Sequence, residues 1–211
     1  MLRRSSALTA AVLSVALWIA GLSIGSANDN LASKATDEET LAWVRSNSNS
    51  ILLSAWVFAV GCLAFMWFLG IVRGRLAERE GGAGTLSAIM FGAGVAAAAF
   101  AMATTGDVPS AISKDDITPA TAGALHHLGD LFFVVAELAL VAVMVSFAVL
   151  VLRTAILPRW WAYVSLLVGV VLVIGPIGWA ALIFGTPIWA LVTGFMLDRK
   201  VGAPATAPVA A

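Results

Sequence analysis

Apolar and polar residues fall into long blocks along this chain rather than alternating within single turns. Runs of about twenty apolar residues recur, which is the length a helix needs to cross a bilayer core of about 30 Å. The blocks predict six spans, at about 7–24, 51–72, 85–104, 131–152, 161–176 and 180–197, within one helical domain over residues 1–200. Residues 201–211, with Pro204 and Pro208, are expected to form a disordered tail. The fold class is therefore all-α, a polytopic transmembrane helical bundle.

The punctuation between blocks is equally specific. Thr36-Asp37-Glu38-Glu39 has capping-box spacing and predicts a short surface helix leading into the second span. Gly81-Gly82-Ala83-Gly84 breaks the helix after Arg73, Arg75 and Arg79. Thr118-Pro119 reads as an N-cap followed by a first helical residue, so the fourth helix starts outside the membrane and enters it near Leu131. The last apolar block is barely long enough for two spans. Pro176 and Pro187 both offer breaks, with Thr186-Pro187 read as a second cap, and the turn is expected somewhere in 175–187. The third span carries Gly92, Gly94 and Ala96–Ala99, and small residues let helices approach closely in lipid. On that ground it is expected to be the packed centre of the bundle.

The first block admits two readings. Arg3-Arg4, an apolar middle and Gly25-Ser26-Ala27 also describe a signal peptide, which would leave five spans. Its apolar run exceeds the ~7–15 residues of a signal core, which favours a retained first span. Composition supports the membrane assignment: 61% hydrophobic and 11% charged residues, with a mean hydropathy of +0.97, against roughly 25% charged in soluble domains. Twelve basic and twelve acidic residues cancel overall, yet they are segregated. One set of connections holds Arg3, Arg4, Arg73, Arg75, Arg79, Arg153, Arg159, Arg199 and Lys200, and the other only Lys34, Arg45 and Lys114. Lys and Arg accumulate on cytoplasmic loops, so both termini are expected in the cytoplasm and the membrane to be the plasma (inner) membrane. Most carboxylates, among them Asp29, Asp107, Asp115, Asp116 and Asp130, fall on the opposite face.

One constellation bears on chemistry. At about 100° per residue, His126, Asp130 and Glu137 share a sector of about 40° on the fourth helix, with His127 to the side. Glu137 lies about 10 Å below Asp130 and inside the apolar run. No basic residue is expected at that depth, so the carboxyl must be protonated or hydrogen-bonded to another helix, with Ser54, Trp18 and Trp179 as expected donors. Two roles follow: a proton or cation path through His126, Asp130 and Glu137, or a single polar pin between helices. His126 and Asp130 completed by Asp107 or Asp116 would make a sparse metal site, and no metal or cofactor is expected. The lone Cys62 allows no intrachain disulfide and reads as a packing residue. Phosphate-binding glycine loops, zinc-protease helices and Gly-x-Ser-x-Gly are all absent, and the basic residues are spread as membrane flanks, so neither an enzyme nor a nucleic-acid binder is expected.

Spans two and three also loosely echo spans four and five, as duplicated hairpins would. Several short motifs carry a further likeness. Glu39-Thr40-Leu41, Phe68-Leu69-Gly70 with Arg73, Glu80-Gly81-Gly82 before Leu86-Ser87, Pro119-Ala120-Thr121-Ala122, Leu128-Gly129-Asp130 and Leu157-Pro158-Arg159-Trp160 together resemble a family of six-span bacterial membrane proteins, common in high-GC actinobacteria, for which no activity is established. The resemblance covers about residues 36–198 and implies a six-span fold without implying a catalytic residue; Glu137 is not part of it. The expectation is a multi-pass membrane protein, either an accessory or structural subunit or a small proton- or cation-coupled transporter. Its partners would be the bilayer and a second membrane protein or further copies of itself.

Overall fold

The computed structural model describes residues 6–26, 31 and 34–201. The basic start at Arg3-Arg4, the outer Asp29 and the expected tail from Gly202 lie outside the described residues. Helix α1 covers Ala7–Ser26, α2 Asp37–Glu80, α3 Thr85–Ala103 and α4 Asp107–Ile112. They are followed by α5 (Pro119–Thr154), α6 (Arg159–Val173) and α7 (Gly175–Ala180); α7 passes through a π-wound turn at Ala181–Gly185 into α8 (Thr186–Val201). Among the described residues, five helical stretches are long and apolar enough to cross a membrane: α1, α2, Thr85–Ile112, α5 and Ile177–Arg199. The outward face of α2 carries Leu53, Trp56, Val60, Leu63 and Trp67, an apolar stripe that lipid rather than water accommodates.

The sixth expected crossing is different in kind. Helix α6 has 15 residues, about 22 Å at 1.5 Å per residue, and falls short of a bilayer core by itself. It ends at Ile174, whose ψ of 94° is not helical. The turn thus falls one residue before the expected interval. Pro176 explains it, because a proline has no N–H to give the carbonyl four residues back and disfavours helix at the residue before it. Pro187, expected to open a helix behind a Thr186 cap, lies instead inside a continuous helical run. There the backbone widens: Thr186 N–H reaches back five residues to Ala181 O, and its hydroxyl donates to the same oxygen at 3.3 Å. A π-turn absorbs the missing donor without breaking the helix.

The caps expected at Thr36 and Thr118 are present. Thr36 accepts from Glu39 N while Glu39 accepts from Thr36 N, and the surface helix behind them is continuous with the second span, giving a helix of 44 residues. The glycine turn holds Gly81, Gly82 and Gly84 at positive φ, and Glu80 closes it by accepting from Leu86 N at 2.8 Å and Ser87 N at 3.0 Å. Thr118 accepts from Thr121 N at the head of α5.

The third span is not the centre. Only 33% of its apolar window is buried, against 56% for α5. Its small residues line one stripe, Gly94, Ala97, Ala98 and Ala101, which lets α3 lie close on α2 and α5 from the flank. The central position belongs to α5, whose Leu140, Met144 and Phe147 are buried among the surrounding helices. Trp189 of α8 packs edge-on to Phe147 at 5.0 Å and to Phe68 of α2 at 6.1 Å. Two indoles bind α6 to α8: Trp161 Nε1 donates to Thr193 Oγ1 at 2.9 Å and Trp189 Nε1 to Ser165 Oγ at 3.0 Å. Cys62 is buried as a packing residue.

Helix α1 is built into the bundle. Ser14 Oγ donates to Gly61 O at 3.0 Å, Ser54 Oγ donates to Gly21 O at 2.8 Å, and Trp18 meets Phe58 and Phe65 edge-on. Its first turn is held by the last charged turn of α8. Asp198 accepts from Ser6 Oγ, from Ala7 N at 3.2 Å and from Leu8 N at 3.0 Å, and pairs with Arg75 of α2 at 2.8 Å. An anion at a helix N-terminus satisfies donors that have no partner within the helix. One carboxylate therefore ties together three helices at the basic end. Replacing it leaves those donors and Arg75 without it, and loss of a charged hydrogen-bond partner costs about 1.5–3 kcal/mol. Asp198→Ala is expected to lower the thermal midpoint of the purified protein by several degrees and Asp198→Asn by less; an unchanged midpoint for Asp198→Ala would show that the latch carries no stability.

Candidate functional site

The two ends of the bundle are finished differently. At the acidic end α2 runs well past the apolar core before it stops, and α4 and the first turns of α5 pack against it. Val44, Ile51 and Ala111 form a small separate core there, with Trp43, Leu52 and Val108 against it. Arg45 Nε donates to Lys114 O at 2.7 Å and Lys114 Nζ to Ser48 Oγ at 3.4 Å. Helix α4, which the apolar pattern gives no sign of, is what carries Asp107 to His126.

That pairing changes the expected path. His126 Nδ1 donates to Asp107 Oδ1 at 3.0 Å and to Oδ2 at 3.2 Å, in a half-buried position. The approach depends on Gly106 and Gly129, where the chain crosses α5 so closely that a methyl on Gly106 would come within 2.1 Å of Leu125 O. Asp130 stands exposed, with the exposed His127 near it at 3.9 Å. Glu137 lies deeper, on the buried stripe of α5 between Ala136 and Leu140. The structure thus joins His126 to Asp107, leaves Asp130 at the surface and turns Glu137 toward α6 and α7. No group of three metal-ligating side chains occurs among the described residues.

Glu137 is 7% exposed, and its Oε1 has no hydrogen-bond partner among the described residues. Of the three expected donors, Ser54 is committed to Gly21 O. Trp18 Nε1 is enclosed with no acceptor among the described residues. Trp179 lies closest to expectation, for it lines the same groove as Glu137, together with Phe133, Val134, Leu138, Leu172 and Val173. The groove has a volume of about 320 Å³.

Its floor is the break between α6 and α7. A methyl on Gly178 would lie 2.9 Å from both Glu137 Oε1 and Leu172 O, so a glycine is needed where these two oxygens converge. In an unbroken helix Leu172 O would accept from the residue four positions on, which is Pro176 and has no N–H. The groove therefore gathers a carboxyl and a carbonyl at the C-terminal, negative end of α6, and no basic side chain among the described residues lines it. Such a corner accepts a proton, a hydrogen-bond donor or a cation. The sequence marks Glu137, but the signal for its surroundings is only the Gly175-Pro176-Ile177-Gly178 step. No known protein family, curated protein or solved structure matches the chain.

The His126–Asp107 pair lies outside the apolar segment that begins near Leu131, and it titrates. The hydrogen bond to Asp107 holds the imidazole above its usual 6.5, against partial burial and with further help from the charges of Asp107 and Asp130. A raised pKa means that the pair stabilises the fold fully below the ordinary histidine value, and that this contribution is lost as pH rises through the raised one. Hydrogen exchange in α4, corrected for intrinsic rates, is expected to speed up across that window. Asp107→Asn should remove the pH dependence, and protection that is flat with pH in the native protein would contradict the assignment.

Proposed function

We propose that this chain is a multi-pass plasma-membrane protein that handles a proton or a small cation through Glu137. The observation that carries the reading is the buried, unpartnered carboxyl oxygen facing a broken helix. A polar pin acting through Oε1 would show a donor from a neighbouring helix on that oxygen, and none is present among the described residues. Ionisable groups within membrane helices mark ion and proton pathways, and discontinuous helices with free backbone oxygens recur at their binding sites. Asp130, exposed at the acidic end, and the His126–Asp107 pair lie on the side from which an ion would arrive. In vesicles carrying an internal pH or cation dye, the native protein is expected to dissipate an imposed gradient, with Glu137→Gln falling to the rate of protein-free vesicles at unchanged thermal stability. Equal rates for the two proteins would defeat the reading.

The orientation belongs to the same proposal. Arg73, Arg75, Arg79, Arg153, Arg159, Arg199 and Lys200 share one set of connections, which supports cytoplasmic termini and an acidic end facing outward. Helix α1, bonded at both its ends to α2 and α8, supports its retention in the mature protein. The likeness to six-span actinobacterial membrane proteins is part of this reading as well, with the sixth crossing supplied by the short α6. A membrane-impermeant thiol reagent applied to intact cells, with Cys62 replaced by Ala, is expected to label a cysteine placed at Lys114 and to spare one placed at Arg79. The reverse pattern would invert the topology.

A further inference from the structure

The groove beside Glu137 has a lipid side. Val134, Leu138, Val173 and Trp179 along it are 50%, 55%, 58% and 50% exposed, on faces that meet acyl chains rather than water. A ligand could thus reach the carboxyl sideways, from within the bilayer. From these features we infer that the groove is a binding site for an amphiphilic organic cation, a single apolar tail bearing an ammonium head. The inference rests on Glu137 being the working group and names the class of cation it takes.

Three features select this chemistry. Glu137 Oε1 and Leu172 O converge on one corner, where two acceptors at the negative end of α6 favour a positive charge and repel a negative one. Trp179 adds an indole to the wall, and indoles attract ammonium groups through the ring face. Phe133, Val134 and Leu138 give the tail an apolar track continuous with the lipid. A small hydrated metal ion would use the two oxygens only, leaving the aromatic and aliphatic walls without a role. An amphiphilic cation uses all of them, and its tail partitions into the bilayer and concentrates it at the groove.

The test is protection of Glu137 from dicyclohexylcarbodiimide, an apolar reagent that modifies carboxyl groups within bilayers, read by peptide mass spectrometry on the full chain in zwitterionic lipid discs. Decyltrimethylammonium is expected to slow the modification roughly fivefold or more, while decanol and decyl sulfate, with the same tail, slow it less than about twofold. Trp179→Leu is expected to leave Glu137 reactive but to lose most of the protection. Equal slowing by all three amphiphiles would show a crevice that any tail fills and would overturn the proposal, as would no slowing by any of them or protection unchanged in Trp179→Leu. Failure here is separable from failure of the transport reading. If Glu137→Gln abolishes flux of a small cation or proton while decyltrimethylammonium gives no protection, the working carboxyl stands and the amphiphile falls.

Discussion

Polar groups in a hydrocarbon layer must find partners within the protein, and much of this structure follows from how that demand is met and where it is left open. Backbone groups satisfy it by winding into helices, and the described residues are helical almost throughout. Side chains satisfy it across helices: Ser14 and Ser54 on carbonyls, Trp161 on Thr193, Trp189 on Ser165. One exception among the described residues is the region from Leu172 to Gly178, where a proline removes a donor and a carboxyl oxygen faces the gap without one. Irregular backbone at membrane depth is tolerated where it is buried in protein or lines a cavity. Here it does both, against α5 and beside a groove.

The two ends of the bundle answer the same demand differently. At the basic end, Asp198 and Glu80 act as caps supplied from another helix, holding the starts of α1 and α3. Carboxylates, not the many arginines, do the joining there, because helix N-termini present unpaired N–H groups. Arg75 adds its charge to one of these joints. At the acidic end the joints are arginine to backbone, lysine to serine and histidine to aspartate, and the elements they hold are short. The acidic layer is therefore the part of the fold whose cohesion depends on pH, while the basic end is anchored by groups ionised throughout the physiological range.

Much of the fold was legible from residue order because its signals are local. Thr36 with Glu39, the glycines after Glu80 and Thr118 before Pro119 each act within one turn, and each forms where expected. The glycine- and alanine-rich third span misled because smallness reports closeness of approach, not centrality. A flanking helix pressed on two neighbours needs the same residues along one stripe. Pro187 misled for a related reason: the cost of a proline falls when the helix can widen by one residue, and whether it widens depends on Thr186 and its surroundings rather than on the dipeptide. Helix α4 escaped notice since six residues carry too little periodicity to register.

The site shows where local reasoning stops. Glu137 is conspicuous in any hydropathy trace, and the shared sector with His126 and Asp130 suggested a path along one face of its own helix. Helical spacing fixes which residues share a face, but it does not say what that face meets. His126 turned out to meet Asp107, nineteen residues away, and Glu137 to meet Gly178, forty-one residues on. Both contacts depend on closeness between backbones, set by Gly106 and Gly129 in one case and Gly178 in the other. Opposite a glycine no side chain projects toward the carboxyl from that position, and among the described residues Glu137 Oε1 is left without a hydrogen-bond partner.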